Sequence, residues 1–370
     1  TVSGWACSSV LPWRQFYFSY ASTTLASVCK GVFPRLKRPR LHKIFAIMSS
    51  AIPYFLSVLL LFFLAACDPT PRQVVRGEVV NLYSNCLTAS DKALFTPFET
   101  ASGLKVNIIS EADTPLFERI RRQGNDSTNA DVLILRGTAS LYRAKQTDIL
   151  DTLPSSSFLS TIPVYLRDEE DSWLTLGYSA FAMAYRRDSL DDLQVQRYAQ
   201  LADEKWKGRV VLPRQDDSFY LSLLAALMAD TGEETASDWW RALYEAHQTE
   251  ADSLSLLQLI NTSTYGSEPE WALRFPQPET YLQLTGVSIR KNAPHPDRAA
   301  ALFNYLFSRE YMRRFAERHQ LYPSRPDVDA PAALPAPGQF QPDTTARARI
   351  ARLTENARTL LNRRGEELTP

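Results

Sequence analysis

Cysteine, histidine and glycine are all scarce in this chain. The 370 residues hold four cysteines, and after position 67 only Cys86 remains. A single thiol excludes an internal disulfide downstream of position 67 and any Cys/His zinc cluster. The chain has four histidines. Of these His247, His295 and His319 are scattered without metal-ligand spacing and read as surface or structural residues. Glycine is limited to 13 residues. No glycine-rich phosphate loop, nucleophile elbow or Ser/His/Asp set with supporting spacing is present, so nothing in the sequence points to an enzyme.

Net charge is zero overall, but it is unevenly placed. Residues 1–66 contain seven Lys/Arg and no Asp or Glu, which leaves 34 basic against 41 acidic residues beyond them, a net of −7. A domain with that balance has no electrostatic reason to hold nucleic acid. Long hydrophobic runs are also missing. The most apolar stretch, Ile52 to Ala66, covers fifteen residues and is interrupted by Pro53 and Ser57. That is short for a bilayer span and suits the hydrophobic region of a signal peptide.

This run ends Leu64-Ala65-Ala66-Cys67. Small residues directly before a cysteine, at the end of a signal-like segment, make a lipobox, with Cys67 as the residue that would be lipidated. Acyl chains in pairs anchor stably where one alone is marginal. Asp68 follows at the second position of the processed chain, which favours retention at the inner membrane. The first Met is Met48 and the first residue is Thr1. Residues 1–47 are therefore expected to be an upstream segment foreign to the natural protein, 48–66 the lipoprotein signal and 67–77 a lipidated tether. The expected location is the periplasm.

Downstream, short β-branched runs alternate with amphipathic stretches. Val79–Ser84, Leu104–Ile109 and Asp131–Leu135 read as strands; Ser90–Thr100, Thr114–Gln123 and Ala139–Lys145 read as helices. Such alternation implies a parallel sheet flanked by helices, with ligands at the carboxyl ends of the strands. Trp173–Tyr185 reads as a long strand crossing between lobes. Helices are expected at Ser218–Asp230, Thr235–His247, Asp297–Arg318 (one helix or a helix pair) and Thr344–Arg364, the last with a solvated basic face. Residues 323–342 are proline-rich and irregular.

Several segments resemble the periplasmic ferric-iron-binding proteins of bacterial ABC importers. They are Val79-Val80-Asn81-Leu82-Tyr83-Ser84, Glu111-Ala112-Asp113 with Phe117-Glu118-Arg119-Ile120, Asn129-Ala130-Asp131-Val132-Leu133 (the family's "PADV" strand), Leu201 to Val210, and Thr285 to Ile289 running on to Phe315. The resemblance implies an α/β, two-lobed type II periplasmic-binding fold with a ligand cleft between lobes. Lobe 1 would be 78–172 plus 283–322, and lobe 2 would be 173–282 plus 323–366. It also implies ferric iron as cargo, permease and ATPase subunits as partners, a monomeric state and no catalysis.

The family's iron ligands are not where the pattern puts them. The His or Tyr after the opening strand is replaced by Leu87 or Thr88, and the Glu after the "PADV" strand by Arg136. The paired-Tyr motif Asn-x-Tyr-Tyr-x-Gly reads Asn261-Thr262-Ser263-Thr264-Tyr265-Gly266. Ferric iron is a hard cation that wants anionic oxygen. Tyr265 and Tyr178 are the candidate phenolate ligands; Asn85, Thr88, Arg136 and Thr264 complete the candidate ligand site. Arg136 also suits a carboxylate-bearing solute. The alternatives are a binding protein for a small anion or chelate, and a sensor or scaffold that has lost its site. Cys86 would be a soft ligand or simply a small buried residue.

Overall fold

A computed structural model of the chain describes residues 78–124, 126, 129–153, 158–187, 195–212, 217–246, 257–264, 270–345 and 347–367. Cys67, Asp68, the apolar run before them, Tyr265 and His247 lie outside the described residues.

The opening half is a three-stranded parallel layer. Strand β1 (Val79–Ser84) pairs in parallel with β2 (Lys105–Ser110) on one side and with β3 (Val132–Arg136) on the other. The connections are helices: α1 (Thr96–Ser102) and α2 (Asp113–Gln123), with α3 (Thr138–Gln146) leaving β3. The expected single helix at Ser90–Thr100 is instead a 3-10 turn, Ala89–Phe95, followed by α1. Pro97 sits in the first turn of α1, where its missing N–H is tolerated. Gly103, at φ 73°, ends that helix in the left-handed conformation glycine accepts without strain.

One strand serves both halves. Strand β4 (Leu174–Arg186) is antiparallel to β8 (Leu282–Ile289) from Leu174 to Ala180. From Phe181 to Tyr185 it is antiparallel to β6 (Leu257–Asn261). The partner changes across the single peptide bond between Ala180 and Phe181. β8 in turn is antiparallel to β3, while β5 (Val210–Val211) runs parallel to β6. The order among the described strands is β2-β1-β3-β8-β4-β6-β5, and β7 (Trp271–Arg274) and β9 (Tyr322–Pro323) also pair with β4.

Two cores follow from this layout. The first gathers Leu82, Leu133, Leu116 and Leu141 with Phe303, Phe307, Tyr311 and Phe315. Those last four come from α6 (Pro296–Leu306), the turn that follows it, and α7 (Arg309–His319). Asp297–Arg318 is thus a helix pair, broken where the Ser308 hydroxyl caps α7 by accepting from the Tyr311 N–H. The second core holds Phe181, Met183, Trp206, Trp239 and Trp240 around α4 (Asp217–Thr231), with α5 (Glu233–Ala246) packed on it. From Phe219 to Ala229, α4 is buried on nearly every side, the state expected of a helix apolar all round.

The C-terminal region departs from the sequence reading in three ways. Leu334 and Phe340 pack in the first core, so the proline-rich stretch does not cross to the second half at 323. The final helix is two, α8 (Arg347–Arg352) and α9 (Thr354–Glu367), separated by a tight turn in which Leu353 N–H donates to Ile350 O. Its basic face is not all solvated. The Arg347 side chain is buried and donates to Asp343 Oδ2 at 2.8 Å, to Asp343 O at 2.5 Å and to Tyr165 O at 3.0 Å. Buried polar groups must be paired, and the proximity of Asp343 overrides the tendency of arginine to face water. Among the described residues, no helix is long and apolar enough to cross a membrane.

Candidate ligand site

Parallel strands end in a ring of side chains where β1 and β3 give way to their loops. Asn85 is the first residue past β1, and it grips the end of β3. Its Oδ1 accepts from Arg136 N–H at 2.7 Å, and its Nδ2 donates to Arg136 O at 3.0 Å and to Asp113 Oδ1 at 2.7 Å. Ser140 Oγ donates to the other oxygen of Asp113. The first turns of α2 and α3 are thereby fastened to both strand ends. The amide of Asn85 is spent on this clamp, so its work is to set the position of Arg136.

Arg136 has its backbone fixed but its side chain less so. Its Nε is buried without a hydrogen-bond partner among the described residues. The guanidinium lies near the Cys86 thiol and the His319 ring, on which its charge is felt. Cys86 is half-buried, and burial pushes its thiol up despite the opposing Arg136 charge, so it stands as a neutral thiol. Leu87, at a position where the resembled family carries a ligand, is 2% exposed and belongs to the first core.

Thr88 is engaged in a capping arrangement. Its N–H donates to Asp91 Oδ2 at 2.7 Å and its hydroxyl to the same oxygen at 2.9 Å. Asp91 is buried, and Arg318 Nε and His319 Nε2 each lie 3.2 Å from its Oδ1. His319 is accordingly structural, in line with the sequence reading. So is His295, whose N–H and ring Nδ1 both meet the buried Asp131 carboxylate.

Tyr178 sits in the first part of β4 and stacks on Tyr322 with ring centroids 5.4 Å apart. Burial, aided by the neighbouring tyrosines, pushes its phenol well above the ordinary tyrosine value. That environment opposes the phenolate a ferric ion needs. Its contacts are with Tyr322 and the β-strand neighbours rather than with Asn85 or Arg136.

The second half contributes the turn that ends β6. Asn261 Oδ1 accepts from Ser263 N–H at 3.0 Å and Ser263 Oγ–H at 2.7 Å, and Thr264 Oγ1 donates to Asn261 O at 2.8 Å. Asn261 Nδ2 reaches Gln283 Oε1 of β8 at 3.2 Å. Thr285, two residues further along β8, is the register partner of Arg136. Two residues of strand span ~7 Å. β8 thus brings the Asn261–Thr264 turn to the level of the Arg136 strand end. Tyr265 follows this turn, outside the described residues.

The sequence reading missed several neighbours. Asp113 stood only in the Glu111-Ala112-Asp113 segment of the resemblance, with nothing to mark it as a partner of Asn85. Ser140 and Ser222 gave no signal. A Cβ placed on Gly137 would lie 3.6 Å from Ser222 Oγ, so α4 of the second half approaches the turn after β3 closely. Ser222 Oγ is buried and unpartnered among the described residues. No group of three or more His, Cys, Asp or Glu able to hold a metal gathers among the described residues.

Comparison with known proteins agrees with this architecture. Residues 93–342 match the family model for bacterial extracellular solute-binding proteins. Iron uptake protein A1 of Synechocystis sp. is 26% identical over 334 residues, covering 82% of this chain and 92% of that protein. Iron uptake protein A2 of the same organism is 27% identical over 323 residues, covering 80% and 92%. Among solved structures, the Trichodesmium IdiA (FutA) protein in complex with iron and citrate superposes with a TM-score of 0.68 at 27% identity, covering 77% of this chain and 98% of that one. The ferric binding protein from Campylobacter jejuni gives 0.68 at 21% identity, covering 77% and 98%. With two sheet regions sharing β4 and its candidate site at the ends of parallel strands, the chain belongs to the bacterial extracellular solute-binding protein family.

Proposed function

We propose that the protein is the solute-binding component of an ABC importer and that it takes up ferric iron already wrapped in a carboxylate chelate. The named relatives are iron uptake proteins, and one solved relative holds iron together with citrate. The observation that carries the chelate reading is Arg136. Bare ferric iron needs several anionic oxygens from the protein, yet the clamped strand end presents a guanidinium, with Leu87 buried beside it and Tyr178 held neutral. A chelate supplies its own oxygens, and its outward carboxylates match the planar donor fork of arginine. The two lobes of the sequence reading, with the hand-over in β4, would close on that solute. Tyr265 completes the iron's coordination if its phenolate reaches the site from the second half.

The test is a titration of the purified protein with ferric citrate and with ferric nitrilotriacetate, followed by tryptophan fluorescence and visible absorbance. Saturable ferric-citrate binding that weakens ~10-fold in Arg136→Ala is expected, on the scale of one charge-assisted contact. A visible charge-transfer band lost in Tyr265→Phe and retained in Tyr178→Phe assigns the phenolate. Absence of saturable binding by either chelate refutes the proposal. The lipid anchor at Cys67 belongs to the same reading; it predicts incorporation of labelled palmitate that disappears in Cys67→Ala, and an unlabelled wild type rules the anchor out.

A further inference from the structure

A cavity of about 540 Å³ opens between α3 and the C-terminal helix pair; Thr114 and Ala139 in its lining adjoin Asp113 and Ser140 of the strand-end ring, whose own residues do not line it. Three arginines line it: Arg143 from α3, Arg352 from α8 and Arg358 from α9. Glu355 is the single carboxylate in the lining. Three guanidinium groups against one carboxylate leave an excess of two positive charges in one concavity. Like charges held together without counter-charge favour an anion.

One carboxylate, Glu355, offsets part of the charge of Arg358, and the other two arginines have no acidic partner in the lining. Arg143 lies over the Phe117 ring, 4.9 Å from its centroid, which props the guanidinium while leaving its charge intact. Arg358 Nε is 3.5 Å from Glu355 Oε2, too far for a good hydrogen bond. Arg352 is exposed at the rim. Two helices also open onto the cavity through their first turns: α2 at Thr114 and α9 at Thr354. Asp113 and Glu355 already place carboxylates in these first turns and Pro115 lacks an N–H, so the arginines rather than the helix ends carry the positive field.

We propose that this cavity is a second anion site, built for a small polycarboxylate. A volume of this size suits a small organic solute rather than a lone inorganic ion. The cationic groups are spread over three helices, which fits an anion with several separated carboxylates better than a single compact charge. Because α3 packs with the first half and α9 with the second core, an occupant would bridge both halves and bias their separation. The inference does not depend on the cargo held at Arg136.

The experiment is isothermal titration of the purified protein with iron-free citrate, and with inorganic phosphate as the compact-anion control. Citrate is expected to bind at least ~10-fold more tightly than phosphate. Arg143→Ala and the double variant Arg352→Ala/Arg358→Ala should each weaken citrate ~10-fold or more. The exposed Arg313→Ala should leave it unchanged, and near-ultraviolet circular dichroism checks that each variant is folded. Citrate binding that ignores the three cavity arginines, or phosphate binding as tightly as citrate, overturns the proposal. So does an absence of citrate binding by the wild type. Citrate binding lost only in Arg136→Ala would overturn it while leaving the importer reading intact. Iron-free citrate binding that needs the cavity arginines, in a protein that takes up no ferric chelate, would leave it standing and defeat that reading.

Discussion

Replacing Arg347 by methionine should be among the most destabilising changes in the second half of the chain. Its side chain is 4% exposed and that of Asp343 is 1% exposed. Three donor contacts would vanish: those to Asp343 Oδ2, Asp343 O and Tyr165 O. Methionine fills most of the volume, so the loss is electrostatic rather than a cavity. The Asp343 carboxylate would keep its bond from Thr345 N–H at 2.8 Å but would stay buried with no counter-charge. Removing one partner of a buried pair costs ~3–5 kcal/mol. At roughly 2 °C per kcal/mol for a chain of this size, the melting temperature should fall by about 8 °C. Differential scanning calorimetry at neutral pH reads it directly. The diagnostic comparison is the double variant Asp343→Asn/Arg347→Met, which removes the stranded charge. It should be more stable than Arg347→Met alone, giving a coupling energy above ~1 kcal/mol in a double-mutant cycle. A single variant costing less than ~1 kcal/mol, or strictly additive singles, would show that the pair is not energetically linked.

Two further outcomes follow from other contacts. Burial pushes the His319 imidazole down to about 4; the nearby Arg136 and Arg318 charges act in the same direction, against Asp91. A depressed histidine binds fewer protons folded than unfolded, so stability should fall as pH drops from 6.5 toward 4.5, by ~2 kcal/mol over that window. Asp91 is also held below its ordinary value: burial raises it, but the Thr88 donors together with His319 and Arg318 outweigh burial, and its contribution is lost only at still lower pH. Urea unfolding at the two pH values should show this slope in the wild type and a flatter one in His319→Gln; identical slopes would contradict the assignment. At Gly286, an added Cβ would lie 2.7 Å and 2.8 Å from the Leu141 methyls, and Leu141 is fully buried. Gly286→Ala should therefore cost ~1–3 kcal/mol by overpacking α3 against β8, and an unchanged urea midpoint would mean that α3 shifts freely.

Much of the fold could be read from local pattern because local pattern causes it. Runs such as Val132-Leu133-Ile134-Leu135 have no polar face, so they must be buried strands of a covered sheet. The length of the apolar stretch ending at Tyr185 foretold a strand too long for one half. Boundaries were harder where a short break divides two helices, as at the Ser308 cap and the turn at Leu353. The site was harder still. Arg136 and Asn85 stood out by position after their strands, but their mutual clamp joins residues 51 apart in the chain, and no periodicity encodes it. Tyr178 looked like a ligand because tyrosine can be one; only its stack on Tyr322 shows the phenol to be a packing group. The arginines of the second cavity come from α3 and from the adjoining α8 and α9 near the other end of the chain, and each alone resembled an ordinary surface charge.

The hand-over at Ala180–Phe181 bears on inheritance as much as on architecture. Along β4, Ala182 and Ala184 belong to the first core while Phe181 and Met183 belong to the second. Alternate positions of one strand therefore answer to different selective demands. The two halves cannot drift independently through this segment, nor can either be exchanged for the half of a relative by a clean cut. A chimera would have to carry β4 whole and then reconcile its small residues with one donor and its large residues with the other. Short of that, substitutions in β4 are expected to be accepted in coordinated sets, a large residue on one side answered by a change on the other.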